Sequence, residues 1–245
     1  MTILITRPFP DSEATAGSLR ARGYDVLLAP VLKFEPVAFG DDGETNYDAV
    51  IVTSANAIRA AASQLQQRGW LELPVFAVGE KTARCARDAG FTKVTAADGD
   101  AVSLLDLIRR SKALRKQASL LYLAGTELTR DLASDLGEHG FNVVTQTTYR
   151  MAPVLRLPRD VCDGFAADRI EAVLHYSLRS ARSFLDATRA EGVEISALAV
   201  LQCCLSEPIA AVLREAGAAQ VAVAASPDES ALFGALERAL RPRLA

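Results

Sequence analysis

The chain has little that would hold a metal or a redox group: 2 histidines, 4 cysteines, 2 methionines and 1 tryptophan in 245 residues. His139 and His175 are too far apart for ligand spacing, and Cys85, Cys162, Cys203 and Cys204 fall in no ligand pattern. The thiols read as reduced cysteines packed like small apolar residues. Basic residues number 27 against 30 acidic ones, a formal charge of −3, whereas a nucleic-acid binder shows a basic excess. No apolar run approaches the roughly 18 residues of a membrane helix. The opening MTILITRPFPDSE lacks the basic and apolar segments of a signal peptide. No G-x-G-x-x-G follows the first strand, and the GEKT of Gly79–Thr82 lacks the upstream glycine of a phosphate loop. No Ser-His-Asp or Cys-His set can be completed. Together these absences predict a cytoplasmic protein with no metal and no cofactor, and with neither nucleic acid nor membrane as partner.

What the chain has is small aliphatic side chains and a repeat. Half of its residues are hydrophobic but only 6% are aromatic, the usual filling of helix-on-sheet layers. About 70% of the unfolded surface can be buried at this length. Three pairs of segments align in the same order. ILITRPFPDSEATAGSLRARGYDVLLAPVL from Ile3 falls on LLYLAGTELTRDLASDLGEHGFNVVTQTTY from Leu120, matching Leu19 with Leu136 and Gly23 with Gly140. YDAVIVTSANAI from Tyr47 falls on IEAVLHYSLRSA from Ile170, matching Ser54 with Ser177. VGEKTARCARDAG from Val78 falls on LSEPIAAVLREAG from Leu205, matching Glu80 with Glu207 and Gly90 with Gly217.

Each repeat has the same grammar. A short apolar run, a hydroxyl- or glycine-bearing turn and an amphipathic helix follow one another, and a glycine stops the helix. The runs Ile3–Ile5, Ala49–Val52, Val75–Val78, Leu120–Leu123, Ala172–Leu174 and Leu198–Leu201 predict buried parallel strands. The fold class is α/β, with two similar lobes, each a parallel, doubly wound, flavodoxin-like sheet flanked by helices. Two extended, proline-bounded stretches, Pro30–Asn46 with its polar loop and Arg150–Asp160, predict paired linkers between the lobes. A cleft between lobes is a common ligand site.

Chemistry concentrates at the strand ends. Thr53 and Ser54, Thr82, Gly125 and Thr126, Ser177 and Ser206 all sit where a strand gives way to a helix. Each hydroxyl could simply cap its helix. Together they would gather along one sheet edge, where amide N–H groups and helix dipoles attract anions. Arg7, Arg130, Arg150 and Arg179 stand beside those turns, a pattern suited to a ligand with many carboxylates. Tyr149 precedes the second linker; it could pack and bond to backbone, or exchange a proton without adding a charge. His139, just before Gly140, suits a helix C-terminus, and His175 lies at a strand end within reach of a ligand.

In this order and spacing the residues resemble the uroporphyrinogen-III synthase family over essentially the whole chain. The likeness is carried by TRP at Thr6–Pro8, PVL at Pro30, YDAVIVTSANAI, FAVGEKTA and the LYLAG turn with Arg130. The V-x-x-x-x-x-Y ending at Tyr149 and the S-E-x-I-A from Ser206 complete it. One departure is Pro208, where the family usually has a non-proline residue. The resemblance implies two lobes, residues 1–35 with 153–245 and residues 38–148, with linkers near 36–37 and 149–152. It implies a cofactor-free, monomeric enzyme that closes hydroxymethylbilane, losing water and inverting ring D, to give uroporphyrinogen III. Tyr149 would be the catalytic acid. Ser54, Thr82, Ser177 and Ser206 would hold substrate, with Arg7, Asn56, Gly79, Gly125 and Arg130 completing the contacts. The alternative from another class is a non-catalytic two-lobe binding or sensor module for a polycarboxylate metabolite, which would need no Tyr149 hydroxyl. A nucleotide-binding flavodoxin-like domain is disfavoured by the missing phosphate loop.

Overall fold

The structure is a computed structural model that describes residues 1–40, 45–128 and 130–240. Residues 41–44 of the polar loop expected after Pro36 therefore lie outside the described residues. The chain runs β1 (Thr2–Ile5), α1 (Asp11–Arg20), β2 (Asp25–Leu28), β3 (Leu32–Pro36), β4 (Ala49–Val52), α2 (Ala55–Gln67), β5 (Val75–Ala77), α3 (Glu80–Asp88) and β6 (Val94–Ala96). It continues through α4 (Ala101–Arg110), β7 (Ser119–Gly125), α5 (Leu132–Gly137), β8 (Asn142–Pro153), α6 (Arg159–Ala166), β9 (Ile170–His175) and α7 (Leu178–Ala190). Last come α8 (Glu194–Ala199), β10 (Leu201–Cys204), α9 (Glu207–Glu215), β11 (Gln220–Val223) and α10 (Glu229–Leu240).

Two compact units result, one of Met1–Phe34 with Ala152–Ala245 and one of Glu35–Met151. The strands of the first lie in the order β11-β10-β9-β1-β2; those of the second lie in the order β3-β8-β7-β4-β5-β6. Pairing is parallel throughout the first sheet and from β8 to β6 in the second. Helices cover both faces, so the central strands bury every side chain: all four residues of Ala49–Val52 are buried.

The repeat is visible residue by residue. Leu19 and Leu136 are both fully buried, and Gly23 and Gly140 end their helices at φ 85° and 86°, where a Cβ would be strained. Ser54 and Ser177 both cap 13-residue helices. Glu80 pairs with Arg87 and Glu207 with Arg214, at the same spacing on α3 and α9. The piece β1-α1-β2 thus corresponds to β7-α5-β8, and the run from β9 to β11 corresponds to the run from β4 to β6. The βαβ piece comes first in the chain for one sheet and last for the other, yet the strand order is the same. Strand order reverses between β1 and β9 in the first unit and between β7 and β4 in the second. Such a switch point leaves a crevice beyond the carboxyl ends of the strands.

One expected strand is displaced. Leu198–Leu201 does not form a strand; Glu194–Ala199 is helical and the strand is Leu201–Cys204. The polar Gln202 closes the apolar run in the sequence, but in the fold it is fully buried. Its Nε2 donates to the carbonyls of Ala197 and Val200, and its Oε1 lies 2.9 Å from His175 Nε2. His175, open from sequence to ligand contact, is core instead: it is fully buried and packs edge-on against Phe184. His139 does serve a helix end, with Nδ1 2.8 Å from Asp135 O. Among the described residues no helix is long and apolar enough to cross a membrane.

Burial pushes the His175 imidazole down from 6.5 to about 4, against the smaller upward pull of Gln202. The folded chain holds it neutral while the unfolded chain protonates it below 6.5, so stability falls as pH drops from about 6.5 to about 4. The loss amounts to about 3 kcal/mol. Denaturant midpoints measured across that range should show it, and His175→Leu should flatten the slope. An identical slope in the variant would contradict the assignment.

Candidate active site

In the second unit β4 ends at Val52, which pairs with Leu123, and β7 runs on to Gly125; a cavity of about 440 Å³ opens beyond them. Ser54, Gly125, Arg130 and Tyr149 line it together with Thr53 and Tyr122. Two helices start at its wall. The α2 end is capped by the neutral Ser54, whose Oγ accepts from Asn56 N at 3.2 Å. The α4 end is capped by the Asp100 carboxylate, which accepts from Ser103 N at 2.7 Å; that bond holds the Asp100 carboxyl below its ordinary range. The α4 dipole therefore already has a negative partner, and the α2 end is the one left to attract an anion.

Tyr149 is set by its backbone. Along β7 and β8, Ala124 faces Thr147 but Gly125 faces Tyr149, so Thr148 is an extra residue in a bulge. Bulges of this kind re-aim the following side chain. Thr148 is fully buried; its hydroxyl lies 3.2 Å from Ala124 O and 3.4 Å from Ala57 O, pinning the bulge. The Thr126 N–H donates to Tyr149 O at 3.0 Å. The Tyr149 ring then lies against Gly125, where an added Cβ would stand 2.7 Å from Cζ. A glycine is required there by space.

The other expected contacts of this unit fall elsewhere. Asn56 Oδ1 accepts from Arg59, Thr82 is buried in the first turn of α3, and Gly79 caps α3 close to Gly99. None of the three lines the cavity. Arg130 does, with its Nε held by Asp135; Arg150 pairs with Glu35 at 2.8 Å. Tyr122 was not among the expected contacts, and Thr53 was expected only as one of the strand-end hydroxyls. Tyr122 is the one hydroxyl-bearing residue in Leu120–Ala124, a usable signal, and burial pushes its phenol above the ordinary range.

In the first unit, Arg7, Ser177 and Ser206 follow the carboxyl ends of β1, β9 and β10. The Arg7 guanidinium lies 4.2 Å over the Tyr176 ring and pairs with Asp11 and Glu229 at 3.0 and 3.2 Å. Glu229 also accepts from Thr15 and Tyr176, so this cation is compensated within its own unit. The Ser177 hydroxyl accepts from Ser180 N at 3.1 Å. Ser206 makes no side-chain cap to α9, and Pro208 fits the first turn of that helix.

The family model described as uroporphyrinogen-III synthase HemD matches residues 13–234. A uroporphyrinogen-III synthase from Synechococcus elongatus is 36% identical over 93 residues; the match spans 34% of this chain and 35% of that protein's length. Among solved structures, the uroporphyrinogen-III synthetase of Helicobacter pylori aligns with a TM-score of 0.62 at 20% identity, covering 98% of this chain and 99% of that one. A mutant uroporphyrinogen III synthase of Thermus thermophilus aligns at 0.53 and 18%, covering 98% of each chain. These two structures share the fold. With nearly all of its length matched by the family model, the chain belongs to the uroporphyrinogen-III synthase HemD family.

Proposed function

We propose that the chain converts hydroxymethylbilane into uroporphyrinogen III, as a cytoplasmic monomer that uses no cofactor, nucleic acid or membrane. The observation that carries this is Tyr149, aimed by a pinned bulge into a cavity where the hydroxyls of Thr53, Ser54 and Tyr122 and the backbone of Gly125 meet Asp100, Glu127 and Arg130. The substrate has eight carboxylates and a terminal hydroxymethyl group. Ionisation of that group needs a proton for the departing oxygen, which a phenol can give without bringing a charge of its own to the substrate's carboxylates. In this mechanism the Tyr149 phenol gives its proton to the leaving hydroxide, and water departs. The pyrrole nitrogens supply the electron pair, leaving an electrophilic azafulvene on ring A. The substituted α-carbon of ring D attacks it, and the spiro intermediate fragments and recloses with ring D inverted. The proton released at reclosure returns to the phenolate, so the sum is one water lost.

The protein's part is then positioning and exclusion of the competing closure. In the same proposal Ser54, Gly125 and Arg130 hold substrate from residues 38–148. Arg7, Ser177 and Ser206 contribute from residues 1–35 with 153–245, and Asn56, Gly79 and Thr82 contribute from the first turns of α2 and α3. A catalyst is told from a polycarboxylate-binding module by turnover. With freshly made hydroxymethylbilane in large excess over protein, a synthase consumes all of it faster than the protein-free control. A binding module protects only a stoichiometric fraction, and that result would reject the activity.

A further inference from the structure

We propose that Thr53 and Tyr122 form a hydroxyl pair that contacts the substrate, donating one neutral hydrogen bond to a carboxylate in the cavity beside Tyr149. The inference rests on the synthase activity proposed for the chain and adds two residues to its site.

Tyr122 packs its ring among Ile51, Phe76 and Leu104 in the core and is only 2% exposed, yet it lines the cavity with Thr53. The two hydroxyl oxygens are 3.0 Å apart, and either can donate. Two hydroxyls carry two protons, and their mutual bond uses one. If Tyr122 donates, Thr53 keeps a proton to give outward; if Thr53 donates, Tyr122 keeps it. The pair offers one outward donor in both arrangements and switches between them by rotating two O–H bonds. A buried tyrosine placed only for packing needs any one partner for its hydroxyl. Here the partner is the side chain just before the Ser54 cap, so the bond ends at the mouth of the α2 dipole, where a carboxylate is favoured. Burial raises the Tyr122 phenol more than the Thr53 hydrogen bond lowers it, which keeps it a donor rather than an acid. That separates its part from the one proposed for Tyr149.

The test compares Tyr122→Phe, Thr53→Val, the double variant and Thr53→Ser with wild type, after thermal unfolding has shown which are folded. The probes are uroporphyrin III, a stable octacarboxylate, for binding and hydroxymethylbilane for turnover. In each single variant the remaining hydroxyl still has its proton to give outward, so uroporphyrin III binding should weaken by less than about twofold. The double variant should lose about tenfold, the worth of one hydrogen bond to a charged group, more than the two single losses combined, because either hydroxyl serves in place of the other. Its KM should rise similarly while kcat stays within about twofold, the mark of an interaction equal in ground and transition states, and Thr53→Ser should retain wild-type binding. Unchanged binding in a folded double variant would overturn the inference, as would a loss of about tenfold in either single variant. Should Thr53→Val with Tyr122→Phe fail to fold, Thr53→Ala with Tyr122→Phe takes its place. A wild type that binds uroporphyrin III without turning over hydroxymethylbilane defeats the synthase proposal and leaves the pair judged on binding; a wild type that does neither defeats both.

Discussion

Tyr149→Phe should lower kcat for uroporphyrinogen III formation by about 100-fold, the scale of a lost general acid. Substrate affinity should change by less than about threefold, because the ring that fills the space beside Gly125 is kept. The fold should be intact: the bulge that aims residue 149 is held by Thr148 and by the Thr126 amide. Rapid-quench measurement of the chemical step beside equilibrium binding separates the two quantities. Equal losses in rate and affinity would remove Tyr149 as the acid and leave it a binding contact.

Gly125→Ala should be nearly as damaging without touching the phenol. The new methyl would stand 2.7 Å from Tyr149 Cζ and 3.0 Å from both Cε1 and the hydroxyl oxygen, distances that real Cβ atoms do not keep. The neighbour that must give way is the far end of a side chain, so the ring swings while β7 stays paired. Gly125 is not among the glycines with positive φ, so alanine meets no backbone strain. A loss of about 30-fold or more in kcat follows, since an ångström of misplacement costs on that scale, with a melting temperature close to wild type. In the Tyr149→Phe background the same change should cost less than about threefold, because the step it disturbs is already lost. Full activity of Gly125→Ala would show that the ring position is not critical.

Much of this was legible in the sequence, for identifiable reasons. Buried parallel strands read as apolar runs, and the N-cap serines and C-terminal glycines fall at matched places in both halves, so the α/β class and the repeat were plain. The sheet that β1-α1-β2 completes was not: similarity between halves is the same whether a βαβ piece joins its own half or the other. Gln202 hid β10, because a polar residue inside a buried strand is indistinguishable from a strand end until its partners, His175 and the α8 carbonyls, are known. At the site, Ser54, Gly125, Arg130 and Tyr149 could be picked as strand-end residues, and all four line one cavity. Thr148 could not, and Tyr122 offers only a hydroxyl within an apolar run, not its reach into the cavity. A hydroxyl that pins a bulge, or one that reaches up from the core, is visible only once register and depth are fixed.

The most direct measurement is the isomer composition of the product. Purified protein receives freshly generated hydroxymethylbilane, the products are oxidised, and the uroporphyrins are separated. Predominance of isomer III, absent from the protein-free control, is the predicted result, since only an enzyme that presents the substituted α-carbon of ring D can produce it. Isomer I alone, formed at the control rate, would contradict the proposed cyclisation and return the chain to the status of a polycarboxylate-binding protein.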